Sequence, residues 1–380
     1  MSDKLLTPYR LGALELPNRI VMAPMTRFRA DEDGVPQPFV ADYYAQRAGA
    51  GLIITEGIWP SFQGQSGWRM PGLVTAEHVA GWRRVTEAVH AAGGRIFAQL
   101  MHGGRQAHPL ARIDGGMPVA PSAVPVPYRQ HTRVGKSDPV VPRPMTHADI
   151  RTAITDHVMA ARNAVEAGFD GVELHGANSY LIHQFLADNT NLRTDEYGGD
   201  IAGRIRFAVE LTEAVAEAIG PDRLGLRLSP GNPQFGMVER DPAPVYRALV
   251  DALDPLGLVY LHLTEPLTYS ALADLRPRWH GTLIANVGEN REPTTREDGE
   301  AVLGKGLADL VSYGRAFIAN PDLPERFALG APLADLDEDL LYTHGPEGYS
   351  DYPTWRESRP PRPDDPRRPD RAPDRELRTA

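Results

Sequence analysis

Cysteine does not occur anywhere in the chain. Disulfides, thiolate zinc sites, iron–sulfur clusters and cysteine nucleophiles are thereby excluded. Long apolar runs are missing too: no stretch of roughly 18 hydrophobic residues exists, so no transmembrane helix is expected. The opening residues Met1-Ser2-Asp3-Lys4-Leu5-Leu6 lack the apolar core of a secretory signal. These absences point to a cytoplasmic protein. Excess positive charge is also lacking. The formal net charge is -10, which phosphate backbones and anionic lipid surfaces would repel, so neither nucleic acid nor membrane is an expected partner.

Several catalytic patterns are absent as well. No carboxylate pair stands where a glycosidase needs one, and there is no G-x-S-x-G elbow or G-x-G-x-x-G turn. No histidine cluster has metal-ligand spacing, so no metal site is expected. Gly135-Lys136-Ser137 resembles the end of a P-loop. Gln130 stands where that motif opens with glycine, however, and no strand-like run precedes it.

What is present is an alternation of short apolar runs with helical segments. The runs are Arg19–Met25, Gly51–Glu56, Arg95–Met101, Gly168–Leu174, Leu224–Leu228, Leu258–Leu263, Thr282–Val287 and Leu307–Tyr313. Nearly continuous apolar character is the mark of parallel strands covered on both faces. Between them, Ala76–Ala92 carries Val79, Trp82, Val85, Val89 and Ala92 at spacings of three and four. Ala148–Ala167 does the same with Ile150, Ile154, Val158, Ala161 and Val165. Eight such units predict a single (β/α)8 barrel, for which 380 residues is an ordinary length. A doubly wound sheet would usually have fewer strands and a glycine-rich first turn. Residues 1–355 are expected to form the one domain. Within it, residues 7–18 read as a hairpin plugging the barrel floor. The Pro- and Gly-rich residues 103–146 read as a lid after strand three. The Pro/Arg/Asp-rich residues 356–380 read as a disordered tail.

Barrel active sites lie at the C-terminal ends of the strands. Reading those ends gives Pro24-Met25-Thr26-Arg27, Glu56-Gly57, Gln99-Leu100-Met101-His102, His175 through Tyr180, Arg227, Asn286-Val287-Gly288 and Gly314-Arg315. The ring is rich in hydrogen-bond donors, with one imidazole and one phenol in the stretch after strand four. Gly288 and Gly314-Arg315 suit a phosphate, through backbone N–H groups and a guanidinium. Gln99 offers the mixed donors and acceptor that match an imide edge. Arg227 would need an anionic or carbonyl partner. Together these suggest flavin mononucleotide (FMN) across the barrel mouth. His102 and His183 read as structural.

A resemblance strengthens this reading. Ala23-Pro24-Met25-Thr26-Arg27, Gln99-Leu-Met-His-Gly-Gly-Arg105, His175-x-x-Asn178-x-Tyr180, Gln184-Phe185-Leu186 through Asn191-x-Arg193-Thr194-Asp195-x-Tyr197-Gly198-Gly199, and Gly314-Arg315-x-Phe317-x-Ala319-Asn320-Pro321-Asp322 are similar to the old yellow enzyme family. The likeness runs from about residue 5 to 355. It implies an FMN-dependent ene-reductase with tightly bound, non-covalent FMN and NADPH or NADH as reductant. Pro24, Met25, Thr26, Gly57 and Gln99 would contact the flavin, with Thr26 and Gly57 near C4 and Gln99 at the pyrimidine edge. Arg227 would stand at its N1–O2 side, and Gly288, Gly314 and Arg315 would hold the phosphate. His175 and Asn178 would bind the substrate oxygen, Tyr180 would supply the proton to the α-carbon, and Trp68, Met101 and Tyr349 would line the substrate pocket. Activated alkenes are the implied substrates, with nitro compounds and nitrate esters as further acceptors, and the protein is expected as a monomer or small homo-oligomer.

The chain departs from the family in two places. Met101 stands where a tryptophan is common, and Thr26 stands where one branch has cysteine. Two rival functions need other features. A barrel lyase or aldolase would want a strand-end lysine or metal carboxylates, and these ends supply no lysine and only Glu56. A non-catalytic flavin sensor would keep Gln99, Arg227 and Arg315 without needing His175, Asn178 and Tyr180 together.

Overall fold

The computed structural model describes residues 3–266, 269–287 and 293–359. Eight parallel strands close into a barrel. They are β1 Ile20–Met22, β2 Leu52–Ile58, β3 Ile96–Leu100, β4 Gly171–Gly176, β5 Leu224–Leu228, β6 Tyr260–Thr264, β7 Thr282–Asn286 and β8 Leu310–Tyr313. Neighbours follow chain order, and β8 pairs with β1 to complete the ring. All eight strands fall on the expected runs, Leu224–Leu228 with the expected bounds and the others with shifted ends. β1 stops at Met22, short of Pro24, which has no N–H for the ladder. β4 starts at Gly171 because Gly168, at φ +89°, serves as the turn after helix His147–Glu166.

The near-continuous apolar runs resolve into two faces. Ile53, Ile96, Ala98, Val172, Leu174, Leu226 and Leu228 belong to the main core, with the helices. The alternate residues Val21, Leu52, Ile54, Phe97, Tyr260, Ile284 and Leu310 pack with one another, as the two-residue strand period requires. The hairpin Tyr9–Leu11/Leu14–Leu16 inserts Leu11 and Leu16 into that second cluster, and the Tyr9 hydroxyl lies 2.8 Å from Thr282 Oγ1. Leu16 is 1% exposed, so Leu16→Ala should destabilise the fold by about 2–5 kcal/mol in denaturant unfolding. A loss under about 1 kcal/mol would mean that the hairpin does not seal the floor.

The 103–146 insertion is pinned by short ladders. Val119–Ala120 pairs with Arg143–Pro144, and Gln130–Thr132 with Gly135–Ser137. Gly135-Lys136-Ser137 is therefore one arm of a surface hairpin and not a phosphate loop. At the other end, Trp355–Ser358 forms a short helix capped by Thr354, and Arg356 Nε donates to Glu325 at 2.6 Å. Residues 356–358 are thus ordered, contrary to expectation, because the cap and the ion pair satisfy them locally. The rest of the expected tail, 360–380, lies outside the described residues. Among the described residues no helix is long and apolar enough to cross a membrane.

Candidate active site

TIM-barrel interiors are usually filled by branched apolar side chains. Above its apolar floor this one carries a polar layer. Gln99 from β3, Glu173 and His175 from β4, Arg227 from β5, His262 from β6 and Ser312 from β8 are all buried, and Asn286 from β7 is half-buried. Gln99 Nε2 donates to Glu173 Oε1 at 2.7 Å and lies 3.2 Å from His175 Nδ1. Glu173 Oε2 lies 2.9 Å from His262 Nδ1, whose Nε2 is 2.9 Å from Ser312 Oγ. Arg227 Nη2 donates to Asn286 Oδ1 at 3.1 Å, while its buried Nε has no partner among the described residues. A buried guanidinium left partly unsatisfied is costly, and it marks a place where an acceptor belongs. The sequence reading missed Glu173, His262 and Ser312.

The stretch after β4 holds the imidazole, amide and phenol. Asn178 and Ser179 take left-handed φ of +53° and +68°, a conformation that non-glycine residues rarely adopt and that needs support from the surroundings. That support is dense. Asn178 N donates to Ser229 Oγ at 2.9 Å, and Ser179 N donates to His183 Nδ1 at 3.0 Å. His183 Nε2 lies 3.2 Å from the buried Glu239. Gln184 Nε2 donates to Ser179 O, and Gln106 Nε2 of the insertion donates to Ser179 Oγ at 2.9 Å. His183 thus holds backbone, and His102 likewise accepts from Gly104 N at 3.1 Å. Asn178 Oδ1 faces Asn232 Nδ2 at 3.4 Å, which leaves its own Nδ2 as a donor. The His175 and Tyr180 rings lie 5.0 Å apart. Burial, with Arg227 next, holds the His175 pKa well below 6.5, so the ring is neutral near pH 7. Burial, followed by the Tyr128 and Tyr342 phenols, raises Tyr180 above the ordinary phenol range, so it keeps its proton.

The wall beside this stretch is apolar. Met101 packs with Trp59 and Met70, and Phe28 and Tyr180 lie against them. Gly57 admits Met101 closely: a Cβ there would come within 2.5 Å of Met101 Cε. Pro24, Met25 and Thr26 follow β1 and are half-buried. Trp68 is half-buried on the rim, edge-on to His344 at 5.1 Å.

Tyr349 is not at the mouth. It is fully buried, stacked on Tyr43 at 3.8 Å and covered by the Arg27 and Arg29 guanidiniums. Tyr342, seven residues earlier, is 61% exposed, lies edge-on to Phe28 at 5.6 Å, and acts electrostatically on Tyr180. The segment that carries it is clamped from below. Arg29 donates to the carbonyls of Leu340, Leu341, Gly345 and Glu347, and Arg27 to those of Leu341 and Gly348.

On the β8 side, Gly314 precedes helix Arg315–Ala319, and a Cβ on it would meet Met25 Sδ at an ordinary 3.6 Å. Arg315 is half-exposed, lies 3.3 Å from Glu338 and lines a cleft of about 550 Å³ with Thr294, Arg296 and Asn320. Gly288, the other expected phosphate ligand, lies outside the described residues. His147, Asp195 and Glu196 come together at the surface, within 4.8 Å. Asp195 is already paired with the Arg193 guanidinium at 2.5 Å, which would repel a dication.

Residues 4–334 match the model of the NADH:flavin oxidoreductase / NADH oxidase family. The chain is 40% identical to 12-oxophytodienoate reductase 2 of Arabidopsis thaliana over 93% of its own length and 96% of that protein. Its structure superposes on the old yellow enzyme homologue of Zymomonas mobilis with a TM-score of 0.88 at 41% identity, covering 92% of this chain and 99% of that one. On morphinone reductase in complex with tetrahydroNAD the TM-score is 0.87 at 44% identity, covering 92% and 97%. The chain belongs to the old yellow enzyme family. As a member it is an NAD(P)H-dependent oxidoreductase that uses FMN.

The polar layer fits that cofactor. The unpartnered Arg227 Nε offers a cation and donor to an electron-rich ring edge. With its Nε2 engaged inward, Gln99 keeps Oε1 free of partners among the described residues, as an acceptor for an imide N–H. Gly314 N and Arg315 suit the phosphate of an old yellow enzyme flavin.

Proposed function

We propose that the protein is an ene-reductase acting on alkenes activated by a carbonyl or nitro group. The observation that carries this reading is the grouping of His175, Asn178 and Tyr180 on one braced stretch beside Gln99 and Arg227. When bound, FMN would supply the redox chemistry that links NAD(P)H to hydride delivery at the alkene β-carbon. The chain's own residues do the rest. His175 and Asn178 donate hydrogen bonds to the substrate oxygen, where negative charge grows as the hydride arrives. Preorganised donors of this kind are each worth roughly 2.7–4 kcal/mol in the transition state. Tyr180 gives its proton to the α-carbon, a transfer to a strongly basic carbon that a weak acid can make. The apolar wall of Met101, Trp59 and Met70, with Tyr342 and Trp68 on the rim, keeps water from the reacting carbons. Nitro compounds and nitrate esters also present oxygen acceptors to the two donors.

Purified protein is expected to carry FMN and to oxidise NADPH when cyclohexenone or N-ethylmaleimide is added. Protein that holds FMN and consumes NADPH with oxygen, yet leaves a panel of activated alkenes untouched, would sink this reading.

A further inference from the structure

The polar layer bears on which nitrogen of His175 carries its proton. A neutral imidazole has one N–H, and only the form protonated on Nε2 can donate away from Gln99. His175 Nδ1 faces Gln99 Nε2 at 3.2 Å, and the same Nε2 is 2.7 Å from Glu173 Oε1. A carboxylate only accepts, so Glu173 admits the amide with its NH2 inward and not with its carbonyl inward. An inward NH2 can only donate to His175 Nδ1, which must then be bare. Glu173 is itself held at 0% exposure by His262 Nδ1 on its other oxygen, with Arg227 adding electrostatic support. His175 Nε2 has no partner among the described residues.

We propose that Glu173 is a positioning residue: through Gln99 it holds His175 as the Nε2–H tautomer, so that the imidazole presents a donor to the substrate oxygen. The proposal rests on the ene-reductase reading for its purpose. The tautomer itself can be observed whether or not any alkene is reduced.

Glu173→Gln tests it, because a carboxamide in that place can donate to Gln99. The Gln99 amide would then turn its carbonyl toward His175 Nδ1, which must carry the proton, leaving Nε2 a bare acceptor. In FMN-loaded protein labelled with ¹⁵N-histidine, imidazole nitrogen shifts should report Nε2–H for His175 in the wild type and Nδ1–H in Glu173→Gln. Alkene reduction should fall about a hundredfold, as for loss of one oxyanion donor. The fall should shrink in a His175→Asn background, where the donor no longer depends on a tautomer, leaving only the cost of a turned Gln99 amide whose NH2 would face the flavin imide N–H. Glu173→Asp, which keeps an acceptor, should retain the wild-type tautomer. An Nε2–H His175 in yellow, folded Glu173→Gln protein would overturn the proposal and leave the ene-reductase reading standing. So would an equal, additive loss in the His175→Asn background. Should Glu173→Gln not fold, the wild type decides alone, and Nδ1–H there overturns it.

Discussion

Replacing Tyr180 by phenylalanine should slow alkene reduction by about 10²–10⁴-fold, the usual contribution of a positioned general acid. Transfer of reducing equivalents from NAD(P)H to the cofactor should change by no more than about twofold, since no substrate proton is delivered in that step. The substitution is clean because phenylalanine keeps the ring's packing beside His175 and against the Met101 cluster, and the Tyr180 hydroxyl has no side-chain hydrogen-bond partner among the described residues. Burial already holds the phenol in its protonated form, and His175 is neutral. The alkene step should therefore be nearly flat between about pH 6 and 9 in the wild type. Anaerobic rapid mixing separates the two half-reactions. Equal loss in both would remove Tyr180 from the role of proton donor.

The second large effect concerns acid. His102, His157, His175 and His262 are buried and their pKa values are depressed, chiefly by burial, with His157 at about 4. In the unfolded chain each titrates near 6.5. Below that pH the unfolded state binds protons that the folded state refuses, so stability is full above about 6.5 and is lost as pH falls toward 4. Glu56 acts in the opposite sense. Burial raises its pKa to about 7, so between about 4.5 and 7 the folded state holds its proton and the unfolded state does not. The depressed imidazoles, which include His78, outnumber the raised carboxyls, so the net effect is a loss of stability as pH falls below about 6.5. Urea unfolding at pH 7.5, 6 and 5 should therefore show a steep fall in midpoint at unchanged slope. A flat midpoint across that range would mean that these imidazoles are charged in the folded protein.

Much of the site was legible because barrel strands announce their own ends. A short apolar run followed by Gln99, by His175-x-x-Asn178-x-Tyr180 or by Arg227 places those side chains on one rim once the ring closes. Glu173, His262 and Ser312 carried no such signal. Each is a lone polar residue in an apolar run, and the two-residue period does not say which face turns inward. Tyr342 went unread for another reason, while Tyr349 was named. Both lie in an aperiodic stretch, and it is the Arg27 and Arg29 guanidiniums, more than three hundred residues away in the chain, that bury one and leave the other exposed.

The sequence alone determined the barrel, its floor hairpin and its cofactor class, and it singled out the three side chains proposed to act on substrate, because each depends on local periodicity or on a short motif. The tertiary structure alone decided the buried chain from Ser312 to His175, the bracing of the left-handed pair Asn178 and Ser179, and which tyrosine reaches the rim. Those depend on contacts across the closed barrel, where partners distant in the chain meet and where a buried polar group persists only if its complement arrives from another strand.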